Sequence, residues 1–311
     1  MEKNSADGNE QTAREMAVMK ERLDVILVRQ GYAPSREKAK ALLMAGSVFV
    51  DNQREDKAGA QFDESKIKLT VKGKPIPYVS RGGLKLERAL QQFPITLTDS
   101  VCMDIGASTG GFTDCMLQNG AGKVYAIDVG HGQLDWKLRC DERVICMEKT
   151  NFRYVTEEQI PEPIDFASVD VSFISLTKIL PPARELLREQ GEMVCLIKPQ
   201  FEAGREKVGK KGVVRDRKVH IEVVRAVTNF AAGNGFLVKG LTYSPIKGPE
   251  GNIEYLMWLE KQGMTSDRTE KGAVEASHTL SAAGEGSFRE KEQETGIETV
   301  VEEAHKALDE A

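Results

Sequence analysis

Between residues 20 and 72 the spacing of apolar positions changes twice. Arg22-Leu23-Asp24-Val25-Ile26-Leu27-Val28 places apolar side chains on one face of a short helix that Gly31 stops. Pro34-Ser35 then offers a cap for a second helix over Arg36 to Ala45, ended by Gly46. Val48-Phe49-Val50 followed by Asp51-Asn52 predicts a strand and a turn, and Lys66-Ile67-Lys68-Leu69-Thr70-Val71 alternates as a strand does. Together these make a small α+β unit over residues 20–71. Lys72-Gly73-Lys74-Pro75-Ile76-Pro77 has no apolar period and opens a linker, residues 72–80.

Beyond it, over 81–262, apolar runs of strand length at 101–105, 123–128, 143–147, 164–170, 192–197, 236–243 and 253–259 alternate with helical stretches. Strands spaced by helices predict an α/β, Rossmann-like domain with a mostly parallel sheet. The last two runs are joined only by Ser244-Pro245-Ile246-Lys247-Gly248-Pro249, too short for a helical crossover, so an antiparallel hairpin at one edge is expected. Residues 1–19 and 263–311 are polar, the second stretch acidic, and both are expected to be disordered.

Charge changes the picture more than composition does. The net charge of the 311 residues is −5, but residues 263–311 hold 12 acidic and 5 basic side chains, whereas Lys20 to Leu90 hold 15 basic and 9 acidic ones. The N-terminal third is therefore suited to a polyanion. Five cysteines, at 102, 115, 140, 146 and 195, form no C-x-x-C pair, which argues against disulfides and zinc, and no metal is expected. No apolar run reaches the length of a leader or a membrane span, so a soluble, cytoplasmic chain without a membrane partner is expected.

The first candidate chemistry is the turn after the 101–105 run, Asp104-Ile105-Gly106-Ala107-Ser108-Thr109-Gly110-Gly111. Glycines there let backbone N–H groups approach a ligand closely. The pattern is not the G-x-G-x-x-G of pyrophosphate binders, and Asp104 would repel a diphosphate. S-adenosyl-L-methionine has no phosphate but carries an ammonium and a sulfonium, which a nearby carboxylate favours. Asp128 closes Val124-Tyr125-Ala126-Ile127, 22 residues beyond Gly106, where a carboxylate accepts from ribose hydroxyls. Asn151, after the third run, is a candidate for the adenine edge. The expected donor-binding set is thus Asp104, Gly106, Ser108, Thr109, Gly110, Gly111, Asp128 and Asn151.

Ligands of open parallel sheets bind outside the carboxyl ends of strands. Asp170 and Lys198 stand there, each closing a run that is nearly all apolar. With Lys85 in Arg81-Gly82-Gly83-Leu84-Lys85 and Glu254 in Asn252-Ile253-Glu254-Tyr255 they give the order Lys, Asp, Lys, Glu, which resembles that of ribose 2′-O-methyltransferases. A ribose hydroxyl is a weak nucleophile and needs a base, while the sulfonium leaves as a neutral thioether and needs no acid. Lys198 is accordingly expected to be the base, its pKa depressed by a neighbouring cation, Asp170 its orienter, and Lys85 and Glu254 supports. Methylation of an exocyclic amine is disfavoured because Asp170-Val171-Ser172-Phe173 lacks the two prolines of that chemistry, and Cys195, followed by Leu196, lacks the proline that a pyrimidine carbon-five nucleophile requires.

Ser80 to Leu86, Asp104 to Gly111, Asp128-Val129-Gly130-His131-Gly132-Gln133-Leu134, Asp170 to Ser175 and Ile197-Lys198-Pro199-Gln200-Phe201-Glu202 resemble the TlyA family of rRNA 2′-O-methyltransferases, whose catalytic domain is FtsJ-like and whose members are sometimes named haemolysins. The resemblance spans residues 20–260. It implies methyl transfer to cytidine ribose in ribosomal RNA of one or both subunits. The N-terminal unit is similar to the RNA-binding module named after a small-subunit ribosomal protein, which implies RNA contacts at Arg36, Lys38 and Lys40. Arg81 and the basic loop with Arg205, Lys210 and Lys211 are further candidates for the RNA backbone. Two rival classes, a membrane-lytic haemolysin and a non-catalytic RNA-binding assembly factor, have no feature of their own in the chain: neither a spanning nor a broad amphipathic helix, and no gap in the Lys-Asp-Lys-Glu set.

Overall fold

The computed structural model describes residues 20–44, 46–72, 76–263 and 282–309. These fall into two units divided between Arg81 and Gly82. The expectation for residues 1–19 lies outside the described residues.

The first unit comprises β1 (Lys20–Arg22), α1 (Leu23–Arg29), α2 (Arg36–Met44), β2 (Val48–Val50), β3 (Gln53–Arg54), β4 (Gln61–Asp63) and β5 (Leu69–Val71). Leu23, Ile26 and Leu27 of α1 and Ala39 and Leu43 of α2 are fully buried against Val48, Val50 and Leu69. Asp51 and Asn52 both have positive φ, 49° and 67°, the pair of left-handed residues that a two-residue hairpin turn needs between β2 and β3. The expected strand over 66–71 is shorter. Asp63 caps a single 3₁₀ turn at Glu64–Lys66, and only Leu69–Val71 pairs with β2. The ribbon of β1 and β4 escapes the periodicity because Phe62 is the only apolar residue among its six.

The second unit opens with α3 (Gly82–Gln92) and is built on a seven-stranded sheet. Its elements follow as β6 (Val101–Ile105), α4 (Gly111–Gln118), β7 (Lys123–Ile127), α5 (Trp136–Arg139), β8 (Val144–Met147), β9 (Ile164–Val169), α6 (Leu180–Leu186), β10 (Leu187–Ile197), α7 (Pro199–Glu202), α8 (Arg217–Gly233), β11 (Phe236–Tyr243), β12 (Tyr255–Lys261) and α9 (Ala282–Asp309). The spatial order is β11-β12-β10-β9-β6-β7-β8. The expected hairpin is present, but β12 inserts between β10 and β11 and is antiparallel to both, so β11 occupies the edge. Central strands are apolar on both faces because helices cover both, which is why Met103, Ile127, Val169 and Cys195 on one face and Cys102, Val124 and Val194 on the other are all fully buried.

The acidic C-terminal stretch differs from expectation. Residues 264–281 lie outside the described residues, but 282–309 form α9, not a disordered tail. Ile297, Val301 and Ala304 recur at helical spacing and are at most 1% exposed in the main core, beside buried α8 side chains such as Val224 and Val227. A polar tie adds to the packing: His305 Nε2 meets His220 Nδ1 at 3.1 Å, and that same nitrogen meets the Tyr255 hydroxyl at 2.7 Å. Burial foremost, and His305 beside it, push His220 down to about 4, so the pair is not doubly charged at neutral pH. The acids that made the segment look unstructured, Glu302 and Glu303 among them, lie on the exposed face of the same helix.

Candidate active site

Four side chains from four elements converge at the carboxyl ends of the central strands. Lys85 comes from the first turn of α3, Asp170 follows β9, Lys198 follows β10 and Glu254 precedes β12. Lys85 Nζ lies 2.7 Å from Glu254 and 3.4 Å from Asp170, and Lys198 Nζ lies 2.5 Å from the other oxygen of Asp170. The result is one chain of alternating charge, Glu254, Lys85, Asp170, Lys198. Glu254 is wholly buried and both lysines are 6% exposed. Ions so desolvated persist only when paired, and two ammonium groups against two carboxylates leave the group neutral.

The two inner members are held charged. Burial works against the Lys85 ammonium, but Asp170 and Glu254 more than offset it and raise its pKa. Burial likewise pushes the Asp170 carboxyl up, and Lys85 and Lys198 more than reverse that and lower it. Lys85 is thus a fixed cation. Lys198 has a second partner, the Ser172 hydroxyl at 3.2 Å, and it lines an open cleft of about 800 Å³ together with Ser172, Phe173, Phe201, Arg205 and Glu254. Phe173 is 91% exposed, with its ring centroid 5.0 Å from that of Phe201. Sequence reasoning assigned no role to Ser172, to this aromatic pair or to Glu202, which accepts from the Ser175 hydroxyl at 2.7 Å and the Leu176 N–H at 2.8 Å and so fastens the segment after Asp170 to α7.

The glycine-rich turn leaves β6 beside this group. Gly106 has φ +88°, and a Cβ there would stand 2.6 Å from the Asp170 carbonyl oxygen, so only glycine admits the approach. Gly110 has φ +92° under Leu134 and Leu138, and α4 starts at Gly111. Ser108 is exposed and Thr109 half-buried, both on the turn between them. Asp128 closes β7 and accepts from the Ser108 N–H at 2.8 Å and the Gly130 N–H at 2.6 Å. Asn151 caps the short turn at Phe152–Tyr154, accepting from the Arg153 N–H at 3.2 Å.

Asp104, expected to face a ligand cation, has no exposed surface. Its Oδ2 accepts from the N–H and hydroxyl of Thr113, at 2.9 and 2.7 Å, and its Oδ1 from the Ser168 hydroxyl at 3.1 Å. It therefore fastens the first turn of α4 to β6 and β9 and acts on the loop from beneath. Burial raises its pKa to about 7, the hydrogen bonds from Thr113 and Ser168 opposing that shift only in part. Between the unfolded value near 3.9 and about 7, the folded chain keeps a proton that the unfolded chain releases, so this residue favours folding at low pH and loses that contribution as pH rises to about 7. Asp104→Asn keeps the shape without the charge. Its stability relative to wild type, followed by urea unfolding from pH 5 to 8, is expected to increase with pH; a constant difference would refute the assignment.

The basic residues expected to meet RNA divide. Arg36, Lys38 and Lys40 are exposed along α2, but the Arg36 guanidinium is engaged by the buried Asp24 at 3.0 Å, on which Arg22 also converges. Arg22 foremost, and Arg36, lower the Asp24 carboxyl to about 2. Lys38 and Lys40 project without that tether. Arg81 is half-buried at the boundary of the two units, and Arg205, Lys210 and Lys211 are exposed on the loop after α7, Arg205 at the rim of the cleft.

Residues 78–261 match the FtsJ-like methyltransferase family and residues 21–66 the S4 domain. The chain is 51% identical to YqxC of Bacillus subtilis over 95% of its own length and 98% of that protein. It is 41% identical to the 16S/23S rRNA (cytidine-2′-O)-methyltransferase TlyA of Mycobacterium tuberculosis, over 85% of this chain and 98% of the relative. A solved Streptococcus thermophilus structure bearing the name hemolysin is 47% identical, with a TM-score of 0.68, covering 94% of this chain and 98% of that one.

Proposed function

The chain belongs to the TlyA family of FtsJ-like methyltransferases with an S4 domain, and from that premise we propose that it transfers a methyl group from S-adenosyl-L-methionine to the ribose 2′-hydroxyl of cytidine in ribosomal RNA. The observation that carries this reading is the buried chain Glu254, Lys85, Asp170, Lys198, whose two ends, Lys198 and Glu254, line the cleft.

The loop suits the donor. Gly106 and Gly110 provide close backbone approach, Asp128 provides a carboxylate at a strand end, and Asp104 fastens the loop from beneath without occupying it. When bound, S-adenosylmethionine supplies an electrophilic methyl on a sulfonium. Transfer of that methyl would form the oxygen–carbon bond as the carbon–sulfur bond breaks to leave a neutral thioether, and Lys198 Nζ would take the 2′-hydroxyl proton and release it to the cleft. Asp170 aims that ammonium, and Lys85 keeps Asp170 charged when Lys198 is neutral. The group is net neutral, so a cationic donor beside Lys198 meets no excess positive charge. The aromatic pair Phe173 and Phe201 gives a splayed base a face on which to stack, and Lys38, Lys40, Arg205, Lys210 and Lys211 supply phosphate contacts.

The naming of relatives as hemolysins gives a second reading. No helix among the described residues is long and apolar enough to cross a membrane. Incubating the protein with labelled donor and isolated ribosomal subunits, with free rRNA and erythrocytes as parallel targets, separates the two. Label is expected on ribose 2′-oxygens of cytidines. Label on bases, or haemolysis without any transfer, would overturn the proposal.

A further inference from the structure

The segment from Asp128 to Asp135 has no regular secondary structure, yet it is fixed against the donor loop at several points. Asp128 accepts from the Ser108 N–H, Gln133 Oε1 accepts from the Ser108 hydroxyl at 3.3 Å, and the Asp135 N–H donates to the Thr109 carbonyl at 3.2 Å. Leu134 presses on Gly110, where a Cβ would meet its Cδ1 at 2.8 Å. Something other than a helix or strand must hold this irregular backbone in place.

That group is Glu148, the residue after β8. Its Oε2 accepts from the Gly132 N–H at 2.8 Å, and its Oε1 from the N–H groups of Gln133 at 2.9 Å and Leu134 at 3.3 Å. Arg139 of α5 donates to Oε1 as well, and His131 Nδ1 lies 3.3 Å from Oε2. Three successive backbone N–H groups turned onto one carboxylate form a nest, and the anion replaces the secondary structure that the segment lacks. The side chain is only 10% exposed. Arg139 foremost, then the N–H groups of 132–134, hold the carboxyl far below the usual range, so it stays an acceptor at every pH the protein meets.

We propose that Glu148 is a positioning residue of the donor site: it shapes the 132–134 turn and through it sets Asp128, Gln133 and Leu134 against the Ser108–Gly110 loop, so that it governs donor affinity and not the transfer step. This rests on the reading of that loop as the S-adenosylmethionine site. Glu148 touches neither the Lys-Asp-Lys-Glu group nor the aromatic cleft, and so has no route to the reacting atoms except through donor placement.

Glu148→Gln keeps the shape but turns an amide NH₂ toward groups that are themselves donors. Calorimetric binding of S-adenosylhomocysteine is expected to weaken about tenfold or more, with donor KM rising in parallel and kcat at saturating donor within about threefold of wild type. Unchanged affinity, or a fall in kcat at unchanged KM, would overturn the proposal. Arg139→Gln, which removes the side-chain anchor of the same carboxylate, is expected to shift KM in the same direction and serves if Glu148→Gln does not fold; wild-type KM in Arg139→Gln would then count against it. If the wild-type protein itself fails to bind S-adenosylhomocysteine, the donor reading fails, an outcome distinct from wild-type binding with unaffected variants.

Discussion

Replacing Lys198 by methionine is expected to lower methyl transfer by about 10²- to 10⁴-fold, the range a positioned general base supplies, while donor affinity stays within about threefold, since no group of the donor loop touches Lys198. The substitution keeps the apolar stem that passes through the buried end of β10 and removes only the nitrogen beside Asp170 and Ser172. Asp170 retains Lys85 and remains a paired anion, so the fold should tolerate the change. Lys85→Met is a useful contrast, because it leaves the wholly buried Glu254 without its cation and should cost stability as well as rate. Single-turnover transfer and S-adenosylhomocysteine binding, measured on the same preparations, separate chemistry from donor capture. A Lys198→Met enzyme turning over near the wild-type rate would remove Lys198 from the role of base.

The largest effect on stability is expected far from this chemistry. Val301 of α9 is 0% exposed within the main core, and Val301→Asp would bury an unpaired carboxyl there. Such a change costs about 3 kcal/mol or more, which for a domain of this size lowers the thermal midpoint by roughly 10 °C. Glu303→Lys, two residues along and exposed, alters charge more but should leave the midpoint nearly unchanged. Equal melting of the two variants would mean that α9 contributes nothing to the folded core.

That pair of residues also marks where sequence reasoning failed. The Ile297, Val301, Ala304 stripe has helical spacing and was open to reading, but acid-rich composition around it outweighed three small or branched apolar residues. Where apolar content was high, period alone sufficed: the runs at 101–105, 164–170 and 236–243 coincide with β6, β9 and β11 to within a residue. The insertion of β12 between β10 and β11 was not legible, since nothing in a hairpin's sequence states which of its strands faces the sheet.

The site divides in the same way. Lys85, Asp170, Lys198 and Glu254 could be chosen because a charge closing an apolar strand stands out, and the structure brings all four together. Asp104 stood out equally, yet its oxygens are taken up by Thr113 and Ser168, partners 9 and 64 residues away that no local pattern links to it. Glu148 gave no signal, because three of its partners are backbone N–H groups, which every residue but proline has, and its side-chain partners Arg139 and His131 meet it only through the folded turn.

Gly106 lies so near the Asp170 carbonyl that no side chain fits between them. The two halves of the site therefore share one wall. Anything that moves the β6 turn on occupying one half also moves the backbone of the group serving the other, and the two occupants become thermodynamically linked. Linkage is reciprocal: by whatever factor the donor changes the affinity for RNA, RNA changes the affinity for the donor, so a dissociation constant measured for either alone does not describe how both are held when the methyl group is ready to move.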